Sequence, residues 1–388
     1  MRVVIAPDKF KGSLSAPEVA EHLATGLLVG FGQGIQATRI PVADGGEGTI
    51  DAAIGSGFSR RTTTVTGPLG EPVKADFAIR GEEAVIEMAA ASGLALLPEG
   101  PTSKTAKTAN SIGTGELIRA ALDLGCRKII LGVGGSANTD AGAGVLQGLG
   151  AVFLDKNGNE LPGGGAALAQ LDSIDFANFD VRIEATEFVL ASDVDNPLLG
   201  ASGAPAIFGP QKGATPDDVA ELDAAASHFV DVLAAATGQH AKFAAKAEGA
   251  GAAGGVGYIA IAALKAERRP GIDVVLEFTE LENKLKGADL VITGEGSLDE
   301  QSLLGKTPMG VSRAATRQGV PVIAVCGRST LSREQLNDAG FHTVHALTDL
   351  EKDVQKCIAE AGPLLEQLGK HIGVYLAERT ENKEYLNV

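Results

Sequence analysis

The sequence predicts a two-domain α/β protein. One domain is a doubly wound parallel sheet assembled from both ends of the chain, and a second, mixed α/β domain is inserted into it. Three observations carry this. Short β-branched runs alternate with helix-like stretches near both termini. The middle instead holds strands split by turn signals such as Gly67-Pro68-Leu69-Gly70. The 388 residues are enough for two to three domains of roughly 150 residues each.

Residues 3–6 form the first buried strand. Ser15 then caps a helix, Glu18 completes a capping box and Pro17 is tolerated in the first turn, while Val19, Leu23 and Leu27 share one face. Residues 37–43 read as a strand and 49–54 as a helix. Strands follow at 61–66, 73–79 and 84–87, then a helix at 114–124, a strand at 128–132 and another at 189–191. Two long alanine-rich helices are expected at 217–236 and 255–267. The βα grammar returns with a strand at 290–293, a helix at 309–318, a strand at 322–326, a helix at 333–339 and a strand at 343–347, and the chain ends in helix. The expected partition is 1–64 with 286–388 for the first, Rossmann-like domain, and 65–285 for the insertion.

Composition narrows the function. Glycine is 51 of 388 residues, about 13% against a usual ~7%. No tryptophan and only 4% aromatics argue against a single-stranded nucleic-acid platform, which needs stacking rings. The net charge of −16 would repel nucleic acid and anionic membrane alike. No apolar run is long enough for a membrane span, and the N-terminus is too short in its apolar part for a signal peptide. Three distant cysteines without a CxxC fit a reducing cytoplasm.

Glycines and charges coincide in six loops, most of them directly after a predicted strand, where open α/β sheets place their ligands. Lys9 and Lys11, ahead of a helix start, suit a phosphate or carboxylate; a solvated charged turn is the plainer alternative. Asp44-Gly45-Gly46-Glu47-Gly48 offers carboxylates among glycines for a metal ion or hydroxyls, or an acidic helix start. Glu295 and Asp299 suit Mg²⁺, which is usually held by one or two carboxylates plus substrate phosphates. Asp193 follows a strand and could accept a proton from a hydroxyl nucleophile; an Asx-turn is the alternative. The remaining loops are 132–140 and 208–213. Together they favour Mg²⁺-dependent phosphoryl transfer without naming the acceptor.

Several motifs fail. Residues 249–254 match GxGxxG, but a polar helix-like stretch precedes them where a dinucleotide fingerprint needs a strand. Gly305-Lys306-Thr307 looks like the end of a phosphate loop, yet Glu300 stands where its first glycine belongs. Neither GxSxG nor HExxH occurs.

Long strings in these loops carry a resemblance. Ile5-Ala6-Pro7-Asp8-Lys9-Phe10-Lys11-Gly12-Ser13-Leu14-Ser15-Ala16, Pro41-Val42-Ala43-Asp44-Gly45-Gly46-Glu47-Gly48-Thr49, Asp193-Val194-Asp195-Asn196-Pro197-Leu198 and Ile292-Thr293-Gly294-Glu295-Gly296 resemble the type I family of bacterial glycerate kinases. The likeness runs from residue 2 to about 350 in family order. One departure is Asn138-Thr139 ahead of Asp140, where the family usually has the two exchanged.

The resemblance implies ATP-dependent phosphorylation of D-glycerate with Mg²⁺, 2-phosphoglycerate being the favoured product, on two α/β domains with the site in the cleft between them. The roles expected on that basis are as follows. Asp193, Lys9 and Asp44 are catalytic, with Asp193 the base. Lys9, Lys11, Ser13, Asp195, Asn196 and Lys212 contact substrate. Gly134, Gly135, Ser136, Gly294, Gly296 and Lys306 bind nucleotide, and Glu295 and Asp299 hold the metal. Partners are then small molecules, with no nucleic acid or membrane. A kinase of another hydroxy or sugar acid, and an NAD-dependent dehydrogenase resting on the GxGxxG string, remain as alternatives.

Overall fold

The computed structural model describes residues 1–381. Its strands are β1 (Arg2–Pro7), β2 (Gln36–Arg39), β3 (Ser59–Thr66), β4 (Pro72–Arg80), β5 (Glu83–Glu87), β6 (Lys128–Gly132), β7 (Val152–Leu154), β8 (Ser173–Asp175), β9 (Glu187–Ala191), β10 (Glu267–Arg269), β11 (Leu290–Leu298), β12 (Val322–Ser329) and β13 (Thr343–Ala346). The chain divides into two compact units. The first is Met1–Asp44, Asp51–Gly57 and the described residues from Ile272 onward; the second is Gly45–Ile50 and Phe58–Gly271.

The first unit holds a five-stranded, wholly parallel sheet in the order β13-β12-β11-β1-β2. β1, β11 and β12 are runs of buried Val, Ile and Leu, as a sheet covered on both faces requires. The helix Ala16–Phe31 starts where the capping box predicts, the Glu18 carboxylate accepting the Ser15 N–H at 2.8 Å and its hydroxyl at 2.7 Å. It packs against the helix Ala361–Glu381 so closely that a Cβ on Gly26 would meet the Glu366 carbonyl oxygen at 2.0 Å.

The second unit holds a six-stranded sheet, β10-β9-β6-β5-β4-β3. Its β10-β9-β6-β5 half is parallel and its β5-β4-β3 half antiparallel. A separate hairpin pairs β7 with β8. The core includes an aromatic cluster: Phe229 meets Tyr258 edge-on, with ring centres 6.1 Å apart, and also touches Phe153.

Three boundaries differ from expectation, the first being that residues 45–50, expected in the first domain, fall in the second unit, where the Ile50 N–H is held by Glu87. Residues 59–64 pair along β4 and so belong to the second unit. Residues 272–285 belong to the first, because Ile272 sits over the helix Thr307–Arg317, where a Cβ on Gly310 would meet its Cγ1 at 2.2 Å. Residues 382–388, which the expected partition gave to the first domain, lie outside the described residues. The helix expected at 255–267 is Val256–Ala262. Lys265 then takes a left-handed turn, and β10 joins the sheet edge beside β9. A three-residue Glu-Arg-Arg strand is too short and polar to show a period.

Candidate active site

In the first unit the chain runs outward from β1 to β2 on one side and from β11 through β12 to β13 on the other. The reversal falls between β1 and β11, the switch point where doubly wound sheets bind ligands beyond the strands' carboxyl ends. Pro7 pairs with Gly294, which sets residue 8 beside residue 295.

Asp8 is 8% exposed. Its Oδ2 accepts the Thr307 hydroxyl at 2.5 Å and its Oδ1 the Lys9 N–H at 2.7 Å. Burial above all, then the Asp44 and Glu295 carboxylates, push its pKa up to about 7 against the pull of those two hydrogen bonds. Burial likewise raises Glu295, with Lys306 and a Ser302 hydrogen bond opposing. The Glu295 Oε1 is buried and has no hydrogen-bond partner among the described residues. Such an oxygen costs stability unless something electropositive meets it. This orphan is the feature that fits a divalent cation, which needs only one or two carboxylates when phosphates complete its shell. A three-ligand metal cluster of His, Cys, Asp or Glu is absent among the described residues.

Lys9 and Asp44 are half-buried and Lys11 is exposed. Lys306, also half-buried, precedes the helix Thr307–Arg317 and lies 3.5 Å from the Gln301 Oε1. Three expected residues have other duties. The Ser13 hydroxyl donates to the Ile358 carbonyl at 2.6 Å, so it closes the loop onto its own unit. The Asp299 Oδ1 accepts the N–H groups of Gln301 and Ser302 at 2.9 and 3.2 Å, which makes it the cap of the short helix Glu300–Leu303. Gly294 is set by sheet packing: a Cβ there would meet the Val325 carbonyl oxygen at 1.9 Å. Gly296 lies against the backbone of Phe10 and Lys11.

In the second unit, the loop after β6 lies against the acidic-loop glycines. A Cβ on Gly134 would meet the Gly46 Cα at 2.8 Å, and Gly135 has a positive φ of 73°. Lys212 is 2% exposed and turned inward. Its ammonium donates to the Ser136 Oγ at 2.8 Å and to the Asn138 carbonyl at 2.5 Å. Burial lowers its pKa to about 7. Lys212 therefore pins the 132–140 loop through Ser136 and Asn138, with its ammonium turned inward. Asp140, fully buried, accepts five hydrogen bonds, from the Ser111 N–H and hydroxyl, the Asn138 amide, and the N–H groups of Gly142 and Gly144.

Asp193 is exposed just past β9, and its Oδ1 accepts the Gly271 N–H at 3.1 Å. Asp195 pairs with Arg268. The Asn196 side chain donates to the Ser202 carbonyl at 2.9 Å. Sequence reasoning missed Asp8, Thr307, Glu87 and Arg268. Glu87 is buried and accepts the Ile50 N–H at 2.6 Å, which holds the end of the acidic loop. Only the Asp8-Lys9 and Lys306-Thr307 strings carried a signal for the first two. The GxGxxG string is a packing loop: a Cβ on Gly251 would meet the Pro197 carbonyl oxygen at 2.4 Å, and one on Gly254 that of Asn138 at 2.0 Å. Backbone thus packs directly against both glycines, which accounts for them without a ligand.

Fold and loops thus define a two-unit α/β protein whose parallel strands end in charged, glycine-rich loops. The glycerate kinase family model matches residues 3–377. The glycerate kinase of Bacillus subtilis (strain 168) is 44% identical over 96% of this chain and 97% of its own. The glycerate 2-kinase of Escherichia coli (strain K12) is 46% identical over 85% of this chain and 86% of its own. A solved chain from Salmonella typhimurium LT2, named as a glycerate kinase 2, superposes with a TM-score of 0.83 at 39% identity, covering 98% of this chain and 99% of that one. The chain belongs to the glycerate kinase family, and so to the kinases. None of the helices among the described residues is long and apolar enough to cross a membrane.

Proposed function

We propose that this chain moves the terminal phosphoryl group of ATP, with Mg²⁺, onto a hydroxyl of D-glycerate and releases ADP and 2-phosphoglycerate. The observation that carries the reading is the orphaned Glu295 Oε1 beside Asp8, Asp44 and Lys306 at the switch point of the parallel sheet. Glu295 takes the divalent cation, whose contribution is to neutralise phosphate charge. Lys9 and Lys11 hold the glycerate carboxylate or the transferred phosphate. Asp193 accepts the proton of the attacking hydroxyl as the new O–P bond forms and the bond to the ADP oxygen breaks. The preference for the 2-position follows the name of the Escherichia coli relative. Three free, buried cysteines suit a reducing compartment, and we place the protein in the cytoplasm.

The test is ADP release from ATP and D-glycerate with the product resolved by NMR, alongside a panel of other hydroxy acids. Expected are Mg²⁺-dependent turnover, 2-phosphoglycerate, and a Mg²⁺ requirement shifted at least about tenfold upward in Glu295→Gln. An unchanged Mg²⁺ curve removes Glu295 from the metal, and faster turnover of another acid replaces the acceptor.

A further inference from the structure

The tripeptide Gly305-Lys306-Thr307 lacked the rest of a phosphate-loop signature in the sequence, yet the fold gives it the matching context. It follows β11 through the turn Glu300–Leu303 and opens the eleven-residue helix Thr307–Arg317 with Lys306 at the cap position. Thr307 is fully buried. Its hydroxyl donates to the Asp8 carboxylate at the carboxyl end of β1, the strand paired with β11. In phosphate-loop NTPases the residue types at these places are a lysine on the β- and γ-phosphates, a hydroxyl on Mg²⁺ and a carboxylate that helps hold that ion.

Resting on the phosphotransferase reading above, we propose that Lys306, Thr307 and Asp8 form a metal–diphosphate subsite. Lys306 holds the β-phosphate, Thr307 lends its hydroxyl oxygen to the divalent cation, and Asp8 orients that hydroxyl. Three points converge. A threonine hydroxyl has one hydrogen and two lone pairs, and its hydrogen is donated to Asp8, which leaves oxygen lone pairs as the remaining polar function of the Thr307 side chain. The helix N-terminus and Lys306 are both electropositive, as a phosphate requires. The orphaned Glu295 Oε1 belongs to the same cluster, since Asp8, Asp44 and Lys306 all act on it or are acted on by it. The subsite differs from a sequence expectation that gave the metal to Glu295 and Asp299 and left Asp8 and Thr307 without a role.

The readout is ADP affinity by calorimetry on the full chain, with Mg²⁺ and with chelator, the ratio being the metal enhancement. For the wild type we expect an enhancement of about tenfold or more. Thr307→Val abolishes the enhancement while chelator-side ADP affinity holds, and Thr307→Ser restores it. Lys306→Met weakens ADP about tenfold under both conditions. Thr307→Val with the wild-type enhancement overturns the subsite, as does a wild type with no enhancement. Should Thr307→Val lose its melting transition, the near-isosteric Asp8→Asn carries the test, with the same loss expected and retention again overturning it. Glycerate turnover is measured separately. Variant effects on Mg²⁺·ADP without glycerate turnover sink the acceptor assignment and leave the subsite supported; turnover with unaffected variants sinks the subsite alone.

Discussion

Two buried aspartates follow parallel strands in this molecule, one in each unit, and they have opposite surroundings. Asp140 accepts five hydrogen bonds within the core of the second unit. Asp8 in the first unit accepts two, from Thr307 and Lys9, and stands among other carboxylates. Donors gathered around Asp140 compensate its desolvation, so its role closes on the protein itself. Around Asp8 the compensation is incomplete and the neighbouring Glu295 Oε1 has no partner among the described residues, which is the ground for the cation site proposed above. A count of donors, more than burial or charge, separates Asp140 from the carboxylate for which we propose a metal-site role.

The contrast can be broken most severely at Asp140. Asp140→Ala leaves the Ser111, Gly142 and Gly144 N–H groups unpaired in the core and should cost about 3–5 kcal/mol in urea unfolding. A loss below about 1 kcal/mol would put Asp140 in the same class as Asp8.

Lys212 gives an intermediate effect with a pH signature. Its pKa is about 7 when folded, against 10.5 for an ordinary lysine side chain. The unfolded chain therefore binds more protons between those two values, and stability should climb as pH rises from 7 toward 10, by at most about 1.4 kcal/mol per pH unit. The contribution is complete above 10.5 and lost as pH falls through about 7. Unfolding curves at pH 7, 8 and 9 should show this slope in the wild type and a flatter one in Lys212→Met. Equal slopes mean that the buried ammonium is not the cause.

The smallest effect sharpens the metal assignment. Asp299→Ala removes a helix cap and should lower stability by about 1 kcal/mol, with the Mg²⁺ dependence of turnover unchanged. A strong shift in that dependence would return Asp299 to the metal.

Much of the fold was legible because its signals are local. The Ser15–Glu18 capping box, the apolar runs of β1, β11 and β12, and the turns between β3, β4 and β5 depend on near neighbours, and the predicted elements formed there. β10 was not legible, since its three residues join the sheet through β9. The site was legible as loops and not as atoms. Asp8, Lys306 and Glu295 all fall in strings whose composition points to anion and metal chemistry. Lys212 and Ser13 carried the same polar signal, yet their side chains turn to Ser136, Asn138 and Ile358.

Residue order alone thus settled the α/β class and which strand-end loops carry charge. Periodicity, caps and turn chemistry act over a few residues, and composition acts over the whole chain. Only the tertiary structure decided that Thr307, 299 residues from Asp8, supplies its hydrogen bond, that Lys212 faces inward, and that Asp299 caps a helix. Each of those is a direction taken by one polar group. Direction depends on which partner the packed backbone brings within about 3 Å, a distance that residue order does not encode.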